Sequence, residues 1–357
     1  MSSIRPASLP PRPRLVRASW LNAAAIVAVV LAAVLVTTKN LGRGPGANAL
    51  VNVSYDPTRE LFQAENRAFE DAYARLGKRA PNIVQSHGGS SRQARAVIDG
   101  APADVVTLAL FTDVDALRKR GLIADGWTNR LPNGSRPYTS TIVFVVRRGN
   151  PHRIADFPDL VARDVAIVTP NPKTSGNGKL AFLAAWGSVL HRGGTEAEAR
   201  AFVTELYRHV VALDAGARAA ALTFSEEKVG DVHLTWENEA IREVSESNGE
   251  LEVVYPPASL RAEPFVAWVD ANVKKNRTEE LAKDYLSFLF SDDGQEIIAA
   301  HGYRPINPRV LAAHARSFPT LTLFSIGDFT RGWDDANERF FSDNGVYDAI
   351  SAKPKEG

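Results

Sequence analysis

The chain is 357 residues long, 45% hydrophobic and 23% charged, with no cysteine and a formal net charge of +1. This length and apolar content exclude disorder and suit two domains or one bilobed unit, while the lack of cysteine excludes disulfides, thiol nucleophiles, Cys-ligated metals and lipidation of an N-terminal cysteine. Six of the 42 basic residues precede position 46 and no acidic residue precedes Asp56, so the rest of the chain holds 36 basic against 41 acidic side chains, about −5, and lacks the positive stripe that a nucleic-acid backbone requires.

Residues 1–45 read as an N-terminal export signal or membrane anchor. Arg5, Arg12, Arg14 and Arg17 precede an uninterrupted apolar run at 23–36, which suits the core of a signal peptide better than a full membrane span. The only tidy A-x-A is Ala47-Asn48-Ala49, far beyond that run.

Residues 50–55 (LVNVSY) alternate as a strand, and Asp56-Pro57 opens a long amphipathic helix, TRELFQAENRAFEDAYARL, with Asp56 as its N-cap. The apolar NIVQ then runs into SHGGSSRQARAVIDG at 86–100, a glycine turn leading into a helix. A third strand, DVVTLAL at 104–110, precedes a helix through DVDALRKRG. Strands alternating with helices predict a parallel α/β sheet.

From Ser135 the character changes. PYTS leads into the strand TIVFVVRR (141–148) with no long helix directly after it, and here the chain is expected to cross to a second lobe. That lobe holds the strand DVAIVT (164–169), the turn PNPKTSGNG (170–178) and a helix in which Leu180, Phe182, Leu183, Trp186, Val189 and Leu190 recur at helical spacing. A helix TEAEARAFVTELYRHV, a strand VVALD ending in Ala215-Gly216-Ala217-Arg218, a strand DVHLTW ending in Trp236 and a short strand at 252–255 follow. EPFVAWV (263–269) reads as a strand returning to the first lobe, and two helices, TEELAKDYLSFLF and SDDGQEIIAAHG, come after it. The stretch from about Phe318, with Trp333, Phe340 and Phe341, is expected to pack on the outside of one lobe. The lobes divide as 46–138 and 258–357, the latter including the C-terminal helices, against 139–257.

Strand ends followed by small or capping residues and then a helix recur at Asp56, Ser90, Ser175, Ala217 and Trp236. In open α/β sheets ligands sit beyond the carboxyl ends of the strands, so these junctions are candidates to converge on one cleft. Each is equally readable as an ordinary cap. Other chemistries are poorly served. G-N-G-K at 176–179 fails GxxxxGK[ST], no G-x-S-x-G elbow exists, and the histidines show no metal-ligand spacing, so neither a cofactor nor a metal is expected.

The motifs SYDPTRE (54–60), SHGGSSRQ (86–93), PYTSTIVF (137–144), TPNPKTSGNG (169–178), LDAGAR (213–218) and TWENEA (235–240), in this order, closely resemble those of the periplasmic sulfate- and thiosulfate-binding proteins that serve ATP-binding cassette (ABC) importers. The resemblance implies an α/β, type II periplasmic-binding-protein fold with two lobes and a ligand cleft between them. It implies a periplasmic, monomeric, non-catalytic protein that delivers sulfate or thiosulfate to a membrane permease. Carried over residue by residue, the ligand would be held by backbone N–H groups at Asp56, Ser90, Gly176, Asn177 and Ala217, by the Ser175 hydroxyl and by the Trp236 indole N–H. Asn177 stands where the family usually has glycine, and Lys179 where it commonly has arginine. A site of donors alone favours sulfate, which carries no proton at neutral pH, over hydrogen phosphate, whose O–H would lack an acceptor. Asp56 is accordingly expected to turn its carboxylate away from the anion and cap its own helix, with lobe movement on hinge segments near 137–140 and 256–262. Another oxyanion, phosphate or molybdate, and an exported hydrolase are the competing readings.

Overall fold

The computed structural model describes residues 49–351, so the expected leader at 1–45 lies outside the described residues. Among them no helix is long and apolar enough to cross a membrane.

The first lobe begins with three strand–helix units. They are β1 (Ala49–Tyr55) and α1 (Arg59–Arg75), β2 (Asn82–Gly88) and α2 (Ser90–Ile98), and β3 (Val105–Leu108) and α3 (Phe111–Lys119). β1 lies between β2 and β3, parallel to both, with Leu50 opposite Ile83 and Ser54 opposite Thr107. Parallel pairing joined by crossover helices brings the carboxyl ends of these strands to one edge. A 3₁₀ turn, Asp56–Thr58, separates β1 from α1. Its N-cap is Tyr55 and no side chain caps it, so the carboxylate of Asp56 does not serve as the expected helix cap.

β4 (Tyr138–Arg147) carries the chain across. Its opening residues Tyr138 and Thr139 pair with Pro305 and Arg304, whereas Ile142–Val146 pair antiparallel with residues 232–236 of the second lobe. That lobe contains β5 (Ile167–Pro170), α4 (Gly176–His191), α5 (Glu196–Arg208), β6 (Val210–Asp214), α6 (Ala217–Ser225), β7 (Val232–Trp236), α7 (Glu237–Glu246) and β8 (Leu251–Val254). β5 is parallel to both β6 and β7, which again gathers strand ends and helix starts on one edge.

The return is β9 (Ala258–Ala262), a strand where sequence suggested only a hinge, paired with β4 at Ser140 and Thr141. β10 (Phe265–Trp268) then joins the first sheet as an antiparallel edge, Phe265 opposite Leu108, as expected of a returning strand. The first sheet thus runs β10-β3-β1-β2. Its core unites Leu50, Val105 and Val266 with Phe62 and Phe69 of α1 and with Leu281, Tyr285 and Leu286 of a later helix, Glu279–Phe288.

α4 is buried from Gly176 to Ser188, which explains why its apolar residues are not confined to one stripe. The C-terminal stretch covers its outer face. Phe340 and Phe341 pack on Phe182, Phe340 also meets Trp186, and Phe324 sits so close to Gly187 that a Cβ there would lie 2.4 Å from it. The division by sequence counts this stretch with the first lobe, but its aromatic residues pack on the second. Each aromatic side chain buried here is worth about 1.5–3 kcal/mol in area removed from water.

Candidate anion site between the lobes

The carboxyl-edge junctions of both lobes meet around one cavity of about 210 Å³, lined by Tyr55, Asp56, Pro57, Gly89, Ser90, Ala109, Ser175, Gly176, Asn177, Ala217 and Trp236. Every residue expected at the site is in this lining. Gly89, Tyr55, Pro57 and Ala109, which the sequence reading did not assign to the ligand, join them. A larger groove between α6 and α7, lined by Arg218 among others, holds none of the expected residues.

Helix starts supply the donors. Ser90, Gly176 and Ala217 are the first residues of α2, α4 and α6, where N–H groups have no carbonyl one turn earlier to bond. Ser175 is the N-cap of α4, its Oγ accepting from the Gly178 N–H at 3.4 Å, which leaves the hydroxyl proton available. Asn177 has ordinary negative φ inside α4, so the position does not need glycine. Its side-chain amide donates to Thr235 Oγ1 at 3.2 Å, linking α4 to the strand that ends in Trp236.

Trp236 is fully buried, its ring 5.7 Å from that of Tyr55, and its indole N–H has no acceptor among the described residues. An orphaned buried donor costs about 1–3 kcal/mol unless something fills its place. Ser90 differs: its hydroxyl donates to the Asp113 carboxylate and accepts from the Ala109 N–H at 3.0 Å, so only its backbone N–H remains for a ligand. Burial pushes the Asp113 carboxyl up, opposed by the charge of Lys179 and by hydrogen bonds from Ser90 and Ser91. Burial likewise pushes the Lys179 ammonium down, opposed by Asp113.

No lysine or arginine lines the cavity. The carboxylate of Asp56 has Arg59 3.8 Å away, and its Oδ2 lies 3.0 Å from where a Cβ on Gly216 would stand, beside a residue outside the lining. Burial pushes this carboxyl up, while Arg59, Arg92 and Arg218 oppose the shift. The arrangement offers neutral donors and helix dipoles to an anion from both sides, and no cluster of metal-ligating side chains occurs among the described residues.

Residues 51–304 match the family described as bacterial extracellular solute-binding protein. The sulfate-binding protein of Escherichia coli is 47% identical over 306 residues, 85% of this chain and 93% of that protein. The thiosulfate-binding protein of Pseudomonas aeruginosa is 46% identical over 87% of this chain and 94% of its own length. Among solved structures, the sulfate-binding protein SubI from Mycobacterium tuberculosis superposes with a TM-score of 0.76 at 29% identity, over 83% of this chain and all of that one. The chain belongs to the bacterial extracellular solute-binding proteins and, within them, to the family of sulfate- and thiosulfate-binding proteins.

Proposed function

We propose that the cavity binds sulfate or thiosulfate as a dianion in the periplasm, and that the closed protein presents this cargo to the permease of an ABC importer. The observation that carries the reading is the Trp236 indole N–H, wholly buried on the cavity without an acceptor, opposite helix N-termini from the other lobe. The donors assigned to the ligand are the N–H groups of Asp56, Ser90, Gly176, Asn177 and Ala217, the hydroxyl of Ser175 and the indole of Trp236. Fixed dipoles of this kind replace a hydration shell without a countercharge. The lobes, divided at 138/139 and 257/258, would swing on β4 near Ser140 and on β9, the paired crossings between them. The protein would act as a monomer and without catalysis, as suits relatives named for binding alone.

Isothermal titration with sulfate, thiosulfate, phosphate and molybdate tests this. Tight binding of a sulfur oxyanion with weak or absent phosphate binding is the expected result. Preference for phosphate would overturn the assignment, since a protonated phosphate needs an acceptor and Asp56 is turned toward Gly216 and Arg59.

A further inference from the structure

Outside the cavity, on the first lobe, α1 presents Arg59, Gln63 and Arg67 at four-residue spacing toward β2. With Asn66, Gln85 and His87 they line a shallow concavity. Arg59 ties it to the cleft, because its carboxylate neighbour Asp56 is a lining residue of the anion cavity. Arg92 projects from the first turn of α2, with Nη2 3.5 Å from where a Cβ on Gly88 would stand.

The acids around this surface do little to neutralise it. Glu60, next in sequence to Arg59, is held by Arg218 at 3.0 Å and by Arg242 at 4.0 Å from the other lobe. Glu65, beneath the same helix, is fully buried, and burial pushes its carboxyl well up, toward the neutral form. Glu70 and Asp71 lie one turn beyond Arg67 without forming an ion pair to it, and neither Arg67 nor Arg92 has a carboxylate within ion-pair distance among the described residues. His87 is pushed down to about 4, chiefly by burial and then by Arg59, so it stays neutral. Arg67 and Arg92, neither in an ion pair among the described residues, and Arg59, which with Arg92 acts on the charge of Asp56, therefore stand at the side of the cleft, in a body whose net charge of about −5 repels a dianion.

We propose that Arg59, Arg67 and Arg92 form an encounter surface that collects a small inorganic dianion from solution and delivers it into the adjoining cleft. The inference rests on the reading of the cleft as a dianion site. Arg67 stands two helical turns from Arg59, roughly 12 Å along the axis. That is about one and a half times the Debye length of roughly 8 Å at physiological ionic strength, so its field reaches the cleft entrance only at lower salt. Charge of this kind acts on the association rate and leaves the closed complex untouched.

Stopped-flow tryptophan fluorescence with sodium sulfate, on the whole exported chain over a range of sodium chloride concentrations, tests the inference. In Arg67→Gln/Arg92→Gln the association rate constant should fall about threefold to tenfold at low salt, with a shallower salt dependence and an unchanged dissociation rate. Arg67→Lys/Arg92→Lys, which keeps the charge, should restore the wild-type rate. Equal association rates and salt slopes in wild type and the glutamine variant, with sulfate affinity intact, overturn the encounter surface alone. Failure of the wild type to bind sulfate overturns the reading of the cleft and this inference with it.

Discussion

Trp236 has its ring packed against Tyr55 while its single donor faces no acceptor among the described residues. Trp236→Phe keeps the ring and deletes the donor, so sulfate affinity measured calorimetrically should weaken about tenfold or more, with the melting profile of the free protein preserved. Glu65 presents another case, an acid with no exposure and no hydrogen-bond partner for either oxygen among the described residues. Its carboxyl is raised by burial above the ordinary 4.5. Stability tied to its neutral form is complete below about 4.5 and is lost as pH rises through the higher folded value. Glu65→Gln should therefore match wild type in urea unfolding near pH 4 and exceed it increasingly toward pH 8. A difference independent of pH would mean that Glu65 does not titrate as described.

At the scale of elements, the helix starts have to approach each other across the cleft, and glycine permits the approach. A Cβ on Gly89 would stand 2.7 Å from the Thr174 carbonyl oxygen of the other lobe, and one on Gly176 2.9 Å from Ala109 Cβ. Backbone cannot give way as a flexible side chain can, so Gly89→Ala should cost roughly tenfold or more in sulfate affinity through impaired closure, while calorimetric unfolding of the free protein changes little. A contrasting test is α5, opened by a reciprocal capping box in which the Glu198 N–H donates to Thr195 Oγ1 at 3.2 Å and the Thr195 N–H to Glu198 Oε2 at 2.6 Å. Thr195→Ala should lose about 0.5–2 kcal/mol of stability with sulfate affinity unaltered, because this cap lies away from the cavity.

Across the whole molecule the described state is closed. The core around α4 extends over the cleft to Tyr55, Ala109 and Leu110 of the first lobe. The Asn238 side chain donates to Tyr303 at 2.9 Å, and Tyr303 donates to the Pro57 carbonyl at 2.8 Å. Lys119 of α3 reaches Asp334 of the C-terminal stretch at 2.7 Å. A ligand bound only in this state should stabilise it by about 2.7 kcal/mol at one hundred times its dissociation constant. Small-angle scattering should record a smaller radius of gyration on adding sulfate. An unchanged radius with tight binding would mean that the free protein is already closed.

Much of this was written in the chain. Strand–helix alternation, the turn at 170–178, the crossing at β4 and the return of β10 follow from periodicity and from Pro and Gly placement, because those signals are local. The helix starts that line the cavity were legible too, since helix N-termini announce themselves by their small and capping residues. Tertiary structure decided what depends on neighbours remote in sequence. It turned the Asp56 carboxylate to Gly216 instead of a helix cap, made β9 a strand by pairing it with β4, and laid Phe340 and Phe341 on the second lobe. It also spent the Ser90 hydroxyl on Asp113 while leaving the Trp236 donor unpaired. Sequence sets which groups can donate, but only packing across two lobes determines which donors are left without partners.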